Sequence, residues 1–90
     1  MKSIRKTTQF KKDFKRYKHR PDKLESLLEA VRMLENDFEL PDSYQKHELK
    51  GKYQDCLECH IGDDFLLIWI DEKNNIIELV RLGSHFELFE

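Results

Sequence analysis

The stretch DCLECHIGDDFLLIWIDEKNNIIELVRL, residues 55–82, decides the fold. Asp55 to Ile61 alternates polar and apolar and predicts a strand. Gly62-Asp63 turns the chain. Phe65 to Ile70 is apolar at every position, as in a strand covered on both faces. Lys73-Asn74-Asn75 is a second turn, Ile76 to Leu82 a third strand, and Gly83 its end. Turns this short predict an antiparallel meander.

Upstream the period is helical. Phe10, Phe14 and Tyr17 fall at i, i+4, i+7 among Lys11, Lys12, Lys15, Arg16 and Lys18, with Thr8 as the expected N-cap. Arg20-Pro21 breaks this helix, and Pro21 suits the first turn of the next. There Leu24, Leu27, Leu28, Val31 and Leu34 form an apolar stripe, so the two helices form an αα-hairpin. Residues 2–7, around Ile4, read as a short edge strand. Residues 36–53 contain Pro41, Asp42, Ser43 and Gly51 and read as a loop carrying His47. The last seven residues form a short, unusually apolar tail that carries His85. The expected fold is α+β, with both helices on one sheet face and the other face partly open.

Ninety residues suggest one domain, 1–90. Apolar residues are 39% and charged residues 38%, a globular mix. The longest apolar run has six residues, where a membrane span needs about 20. No apolar stretch follows the charged N-terminus, so the expected compartment is the cytoplasm. The net charge of −2 hides an asymmetry. Residues 1–23 carry ten Lys and Arg against two Asp, a balance of +8, and the remainder carries −10. A basic pole admits polyanions, and it also describes a solvated helix face.

Side chains alternate along a strand. Leu57, Cys59 and Ile61 should face the helices, and Cys56, Glu58 and His60 the other side. Cys56 and Cys59 then point apart, which suits packing better than redox or zinc chemistry. Glu58 reads as a solvated surface acid, with a third proton-transfer group as the alternative. Three of the four histidines lie in the second half: His47, His60 and His85. Asp64, expected to begin the central strand, is a hairpin neighbour of His60, placed to orient its ring. An imidazole cluster without a serine or cysteine nucleophile suits proton transfer on a substrate that brings its own nucleophile, as RNA does with its 2′-OH. The same residues also read as three unrelated histidines, or as metal ligands, although their spacing matches no familiar metal loop.

Three segments carry a family resemblance. Tyr44-Gln45-Lys46-His47-Glu48-Leu49-Lys50-Gly51 resembles the H-x-L-x-G loop of YafQ-like toxins of the RelE superfamily. The segment from Glu58 to Trp69 resembles their H-x-x-x-D-aromatic motif and central strand. Arg81-Leu82-Gly83-Ser84-His85-Phe86-Glu87-Leu88-Phe89 resembles their closing R-x-G-[ST]-H-x-x-L-F signature. The motifs stand in family order behind the helical hairpin.

The resemblance implies a RelE-like fold and a type II toxin that is a ribosome-dependent mRNA endonuclease without a cofactor. It implies a cognate ribbon-helix-helix antitoxin of the DinJ or RelB kind, and operator DNA bound only through that complex. Catalytic positions carry over to His47, His60, Asp64 and His85, and aromatic positions to Phe65 and Phe89. His60 or His47 would take the 2′-OH proton, and His85 would protonate the 5′ oxygen. Arg81 would offset phosphate charge, or form a salt bridge to Glu58 or Glu78. Lys46 and Lys50 would supply local charge for RNA. The pI near 6.1 departs from the strong basicity expected of ribosome-directed toxins. It leaves open a non-catalytic module that pairs with an antitoxin and co-represses its operon. The gyrase-directed branch of the superfamily lacks the His/Asp set.

Overall fold

Alternation along residues 65–70, apolar at six successive positions, gives one sheet two apolar faces. In the computed structural model, which describes residues 1–89, the chain runs β1 (Ser3–Lys6), α1 (Thr8–Lys15), α2 (Pro21–Glu35), β2 (His47–Glu48), β3 (Leu57–Gly62), β4 (Phe65–Glu72), β5 (Ile76–Gly83) and α3 (His85–Phe89). The sheet order is β1-β5-β4-β3-β2. β1 is parallel to β5, and every other pair is antiparallel. The α+β architecture, the meander and the edge position of the first strand are as the sequence predicts.

Along β4, Phe65, Leu67 and Trp69 enter the larger core with Phe10, Leu27, Ala30 and Leu34 from the helices. Leu66 and Ile68 enter a smaller cluster with Tyr53, Cys56 and Leu88. The second face is therefore partly closed by the loop before β3 and by the C-terminal segment. That segment is a five-residue helix with Leu88 buried, not a mobile tail. Both cysteines are free and buried, one on each face.

Local chemistry sets the helix ends. Thr7, one residue before the expected cap, accepts the Phe10 N–H at 3.0 Å. Pro21 occupies the first turn of α2. Leu28 in the apolar stripe is 48% exposed, because α2 turns only Leu27, Ala30 and Leu34 fully inward.

Beyond Leu79, β5 has no backbone partner on its β1 side, because β1 ends at Lys6. An open edge leaves unpaired N–H and C=O groups. Thr7 covers the first of these with its N–H on the Leu79 carbonyl and its hydroxyl on the Val80 carbonyl. Asp13 covers the next: its Oδ2 accepts the Leu82 N–H at 3.0 Å and the Arg81 Nε–H at 2.7 Å. Asp13 is fully buried. Burial pushes its carboxyl up, but bonds from Arg81, the Leu82 N–H and Gln9 outweigh it and hold the carboxyl below its ordinary value.

Deleting one partner of a buried ion pair leaves an uncompensated charge and costs about 3–5 kcal/mol. Asp13→Ala is expected to lose this much in urea denaturation, stranding Arg81 and the Leu82 N–H. A carboxyl with a depressed folded pKa stabilises above its unfolded value, about 3.9. That share is lost as pH falls through the lower folded value. Asp13→Asn should therefore show a shallower decline in stability between about pH 4 and pH 2 than the wild type.

Candidate functional site

The two-residue strand β2 extends the sheet past β3 and lifts His47 out of the expected loop. His47 pairs with Glu58 across the ladder, Glu58 with Ile68, and Ile68 with Arg81. Four strands thus present one row of side chains. Glu58 is 3% exposed, contrary to its reading as a solvated acid, because β2 and the second-face cluster shut water out. Its Oε1 lies 3.2 Å from His47 Nε2. The Gln45 carbonyl lies 2.8 Å from His47 Nδ1. Burial pushes the Glu58 carboxyl up, while His47, His60 and His85 draw it back down. His47 thus touches the buried carboxylate, His60 stands two residues from it on the same face of β3, and His85 follows Gly83, which shares Leu66 as a ladder neighbour with His60.

His60 is half-buried on β3, two pairs further along. It opens on a shallow cleft of about 400 Å³ shared with Tyr44, Gln45 and Asp63. Asp64 does not begin β4. It sits in the turn with φ +47, a left-handed conformation that Asp tolerates. From there its Oδ1 accepts the His85 backbone N–H at 2.8 Å. Asp64 therefore holds the backbone of His85, where the sequence suggested the ring of His60.

α3 carries His85 and is closed by a capping box. Ser84 Oγ accepts the Glu87 N–H at 3.1 Å, and Glu87 Oε1 accepts the Ser84 N–H at 2.8 Å. Glu87 also accepts the Tyr17 hydroxyl proton and lies 3.5 Å from Arg16. Burial and this bond to Glu87 push the Tyr17 phenol up to about 12. Gly83 leaves room for the same carboxylate: a Cβ there would lie 2.7 Å from Glu87 Oε1. On the other side of α3 the Tyr53 hydroxyl donates to the Leu88 carbonyl at 3.0 Å and accepts Arg81 Nη1–H at 2.8 Å.

Arg81 thus pairs with Asp13, not with Glu58 or Glu78, and all three guanidinium nitrogens bond to protein groups. Phe65 is 1% exposed and packs 4.7 Å from the Tyr17 ring, so its face is unavailable for stacking on a base. Phe89 is 40% exposed, edge-on to Tyr53 and 4.9 Å from the His85 ring. Lys46 and Lys50 stand exposed on either side of β2. Among the described residues no group of three or more His, Cys, Asp or Glu side chains is arranged to hold a metal ion.

Chemically, the row offers imidazoles for proton transfer, a buried acid beside them, one half-exposed aromatic ring and flanking lysines. The supporting residues Asp13, Tyr53 and Glu87 were not singled out from the sequence, and Tyr17 was read only as part of an apolar helix stripe. Only Ser84-x-x-Glu87, a capping-box spacing, was a legible signal among them.

In sequence and fold the chain is similar to known toxins. A family model described as the bacterial toxin of type II toxin-antitoxin system, YafQ, matches residues 2–90. A Haemophilus influenzae protein named as a YafQ toxin is 34% identical over 59 residues, or 62% of this chain, and the match spans only 58% of that relative's length. A metal-bound toxin from Helicobacter pylori superposes with a TM-score of 0.88 at 39% identity, over 99% of this chain and all of that one. The toxin in an E. coli DinJ-YafQ complex superposes with a TM-score of 0.85 at 26% identity, over the whole of both chains.

If Ser84 caps α3, Ser84→Ala should cost about 1 kcal/mol locally. Amide hydrogen exchange at Glu87 should then quicken roughly fivefold, with α2 amides unchanged.

Proposed function

The chain belongs to the YafQ family of bacterial toxins of type II toxin-antitoxin systems, and on that premise we propose that it is an endoribonuclease that cuts mRNA on the ribosome with its own histidines and no metal. The observation that carries this reading is the placement of His47 against the buried Glu58, of His60 on the same face of β3, and of His85 just past Gly83 at the level of His60 in the sheet. RNA supplies the nucleophile. The 2′ oxygen forms a bond to the adjacent phosphorus as its proton passes to His60 or His47. The bond from phosphorus to the 5′ oxygen breaks as His85 gives that oxygen a proton. The products are a 2′,3′-cyclic phosphate and a 5′-OH. Separate imidazoles suit this exchange because their ordinary pKa, about 6.5, lets one accept while another donates at neutral pH.

Asp64 supports His85 through its backbone N–H. Phe89, beside the His85 ring, offers a face for base stacking, typically worth about 1–3 kcal/mol. Lys46 and Lys50 neutralise phosphates next to His47. Arg81 acts through Tyr53 on the backbone of α3 and not on the phosphate itself. The partners are mRNA on the 70S ribosome and a cognate antitoxin. Support for the antitoxin comes from the E. coli family member described in complex with DinJ. Operator DNA is met through that complex alone.

The test is cleavage of a defined mRNA on 70S ribosomes with EDTA present, mapping the product ends. Wild type is expected to leave a cyclic or 3′-phosphate end, and His85→Ala should cut about 10²–10⁴-fold more slowly, the value of one proton-transfer group. No cutting by folded wild type would overturn the nuclease reading in favour of a non-catalytic partner of the antitoxin.

A further inference from the structure

His47 has both ring nitrogens engaged. Nδ1 faces the Gln45 carbonyl at 2.8 Å and Nε2 faces Glu58 Oε1 at 3.2 Å. A carbonyl oxygen only accepts, so Nδ1 carries a hydrogen. Nε2 then meets a carboxyl group, and one shared proton makes that contact attractive whichever atom holds it. His60, by contrast, has no ring hydrogen bond among the described residues, and it lines the cleft of about 400 Å³. The two candidates for the proton-accepting imidazole therefore differ: one ring is tied at both ends and the other is free.

Glu58 does the tying, and its own position is costly. The side chain is 3% exposed and Oε2 has no hydrogen-bond partner. Buried acids with an empty acceptor are rare in proteins, and they concentrate where chemistry is done. The titratable groups that bear on Glu58 are His47 from β2, His60 from β3 and His85 from α3. Arg81, two strands along the same row, is committed to Asp13 and Tyr53.

We infer that Glu58 is a positioning residue of the proposed nuclease: it fixes the His47 ring through Nε2, so that His47 is held as a hydrogen-bond donor to phosphate oxygen, and His60 is the imidazole that receives the 2′-OH proton. When RNA binds, a non-bridging oxygen competes with Glu58 Oε1 for the Nε2 hydrogen. The 2′ proton goes to His60, the 5′ oxygen takes its proton from His85, and the proton shared by His47 and Glu58 stays with that pair. This assignment rests on the nuclease reading, whereas the pairing of Glu58 with His47 can be tested without it.

Two measurements separate those claims. The first follows the Glu58 carboxyl carbon by NMR as pH is varied, in wild type and in His47→Ala. An imidazolium at His47 favours the Glu58 anion, so removing it should move the Glu58 midpoint upward. Glu58→Gln should in turn shift the NMR signal of the His47 Nε2 nitrogen, which then meets an amide and not a carboxyl. An unmoved signal in either variant overturns the pairing, whether or not the protein cuts RNA. The second is ribosome-programmed mRNA cleavage from about pH 5.5 to 8.5, bracketing the ordinary imidazole pKa. Glu58→Gln, close in shape and checked by thermal melting, should cut at least tenfold more slowly than wild type at neutral pH, the deficit narrowing toward about pH 5.5, because an amide shares no proton with Nε2. Glu58→Gln cutting with the wild-type profile overturns the positioning role. His60→Ala cutting as fast as wild type overturns the assignment of the acceptor. Absence of cutting by wild type overturns the nuclease reading and leaves the NMR result to decide the pairing.

Discussion

One buried ion pair joins the two sides of this molecule. β1 is too short to cover the whole of β5, and the exposed N–H of Leu82 falls to Asp13, a helix residue. A buried carboxylate needs a cation, and Arg81 supplies it from the same strand. The far end of the guanidinium then reaches Tyr53, whose hydroxyl holds the Leu88 carbonyl. α1, the sheet edge, the loop before β3 and the C-terminal helix are thus linked in series. A hydrophobic contact would be non-directional. This chain of polar contacts is directional, and it fixes where α3 sits.

That directionality matters because α3 has five residues. A helix so short has no stability of its own. It is held by Leu88 in the second-face cluster, by the Ser84–Glu87 capping box, by Tyr17 and Arg16 on the Glu87 carboxylate, and by Asp64 on the His85 N–H. Polar contacts converge on it from α1, from the β3–β4 turn and from Tyr53, so His85 is placed by the fold at large. Gly83 belongs to the same arrangement, since any side chain there would collide with Glu87.

Much of this was legible in the sequence. The unbroken apolar run of β4 gave a strand covered on both faces, and the leucine stripe gave α2, because burial imposes those periods directly. The three histidines were singled out because imidazoles are few and their chemistry is distinctive, and Asp64 because it stands across the turn from His60. What escaped depends on contacts between distant residues or on local backbone irregularity. Val80 is an extra residue opposite the Ile68–Trp69 step, so Ile77, Leu79 and Leu82 reach one core although their spacing breaks the period of two. Asp64 occupies a left-handed turn position that sequence parity assigned to a strand. Glu58 looked solvated because the two-residue strand that buries it carries no strand signal of its own. Asp13 looked like one charge among many on a basic helix, and nothing local marks it as the cap of a strand 69 residues away.

The sheet's one parallel pair joins Ser3–Lys6 to Ile76–Leu79. The first element of the chain therefore waits for the last strand before it has a partner, and the residues that cap β5 wait with it. Contacts of such long sequence separation form late and slow folding. A nascent chain can assemble the αα-hairpin early, but α3 cannot seat His85 until β5 has been made and paired. The chain order itself thus acts as a delay, bringing His85 to the level of His60 only after the strand that precedes it is in place.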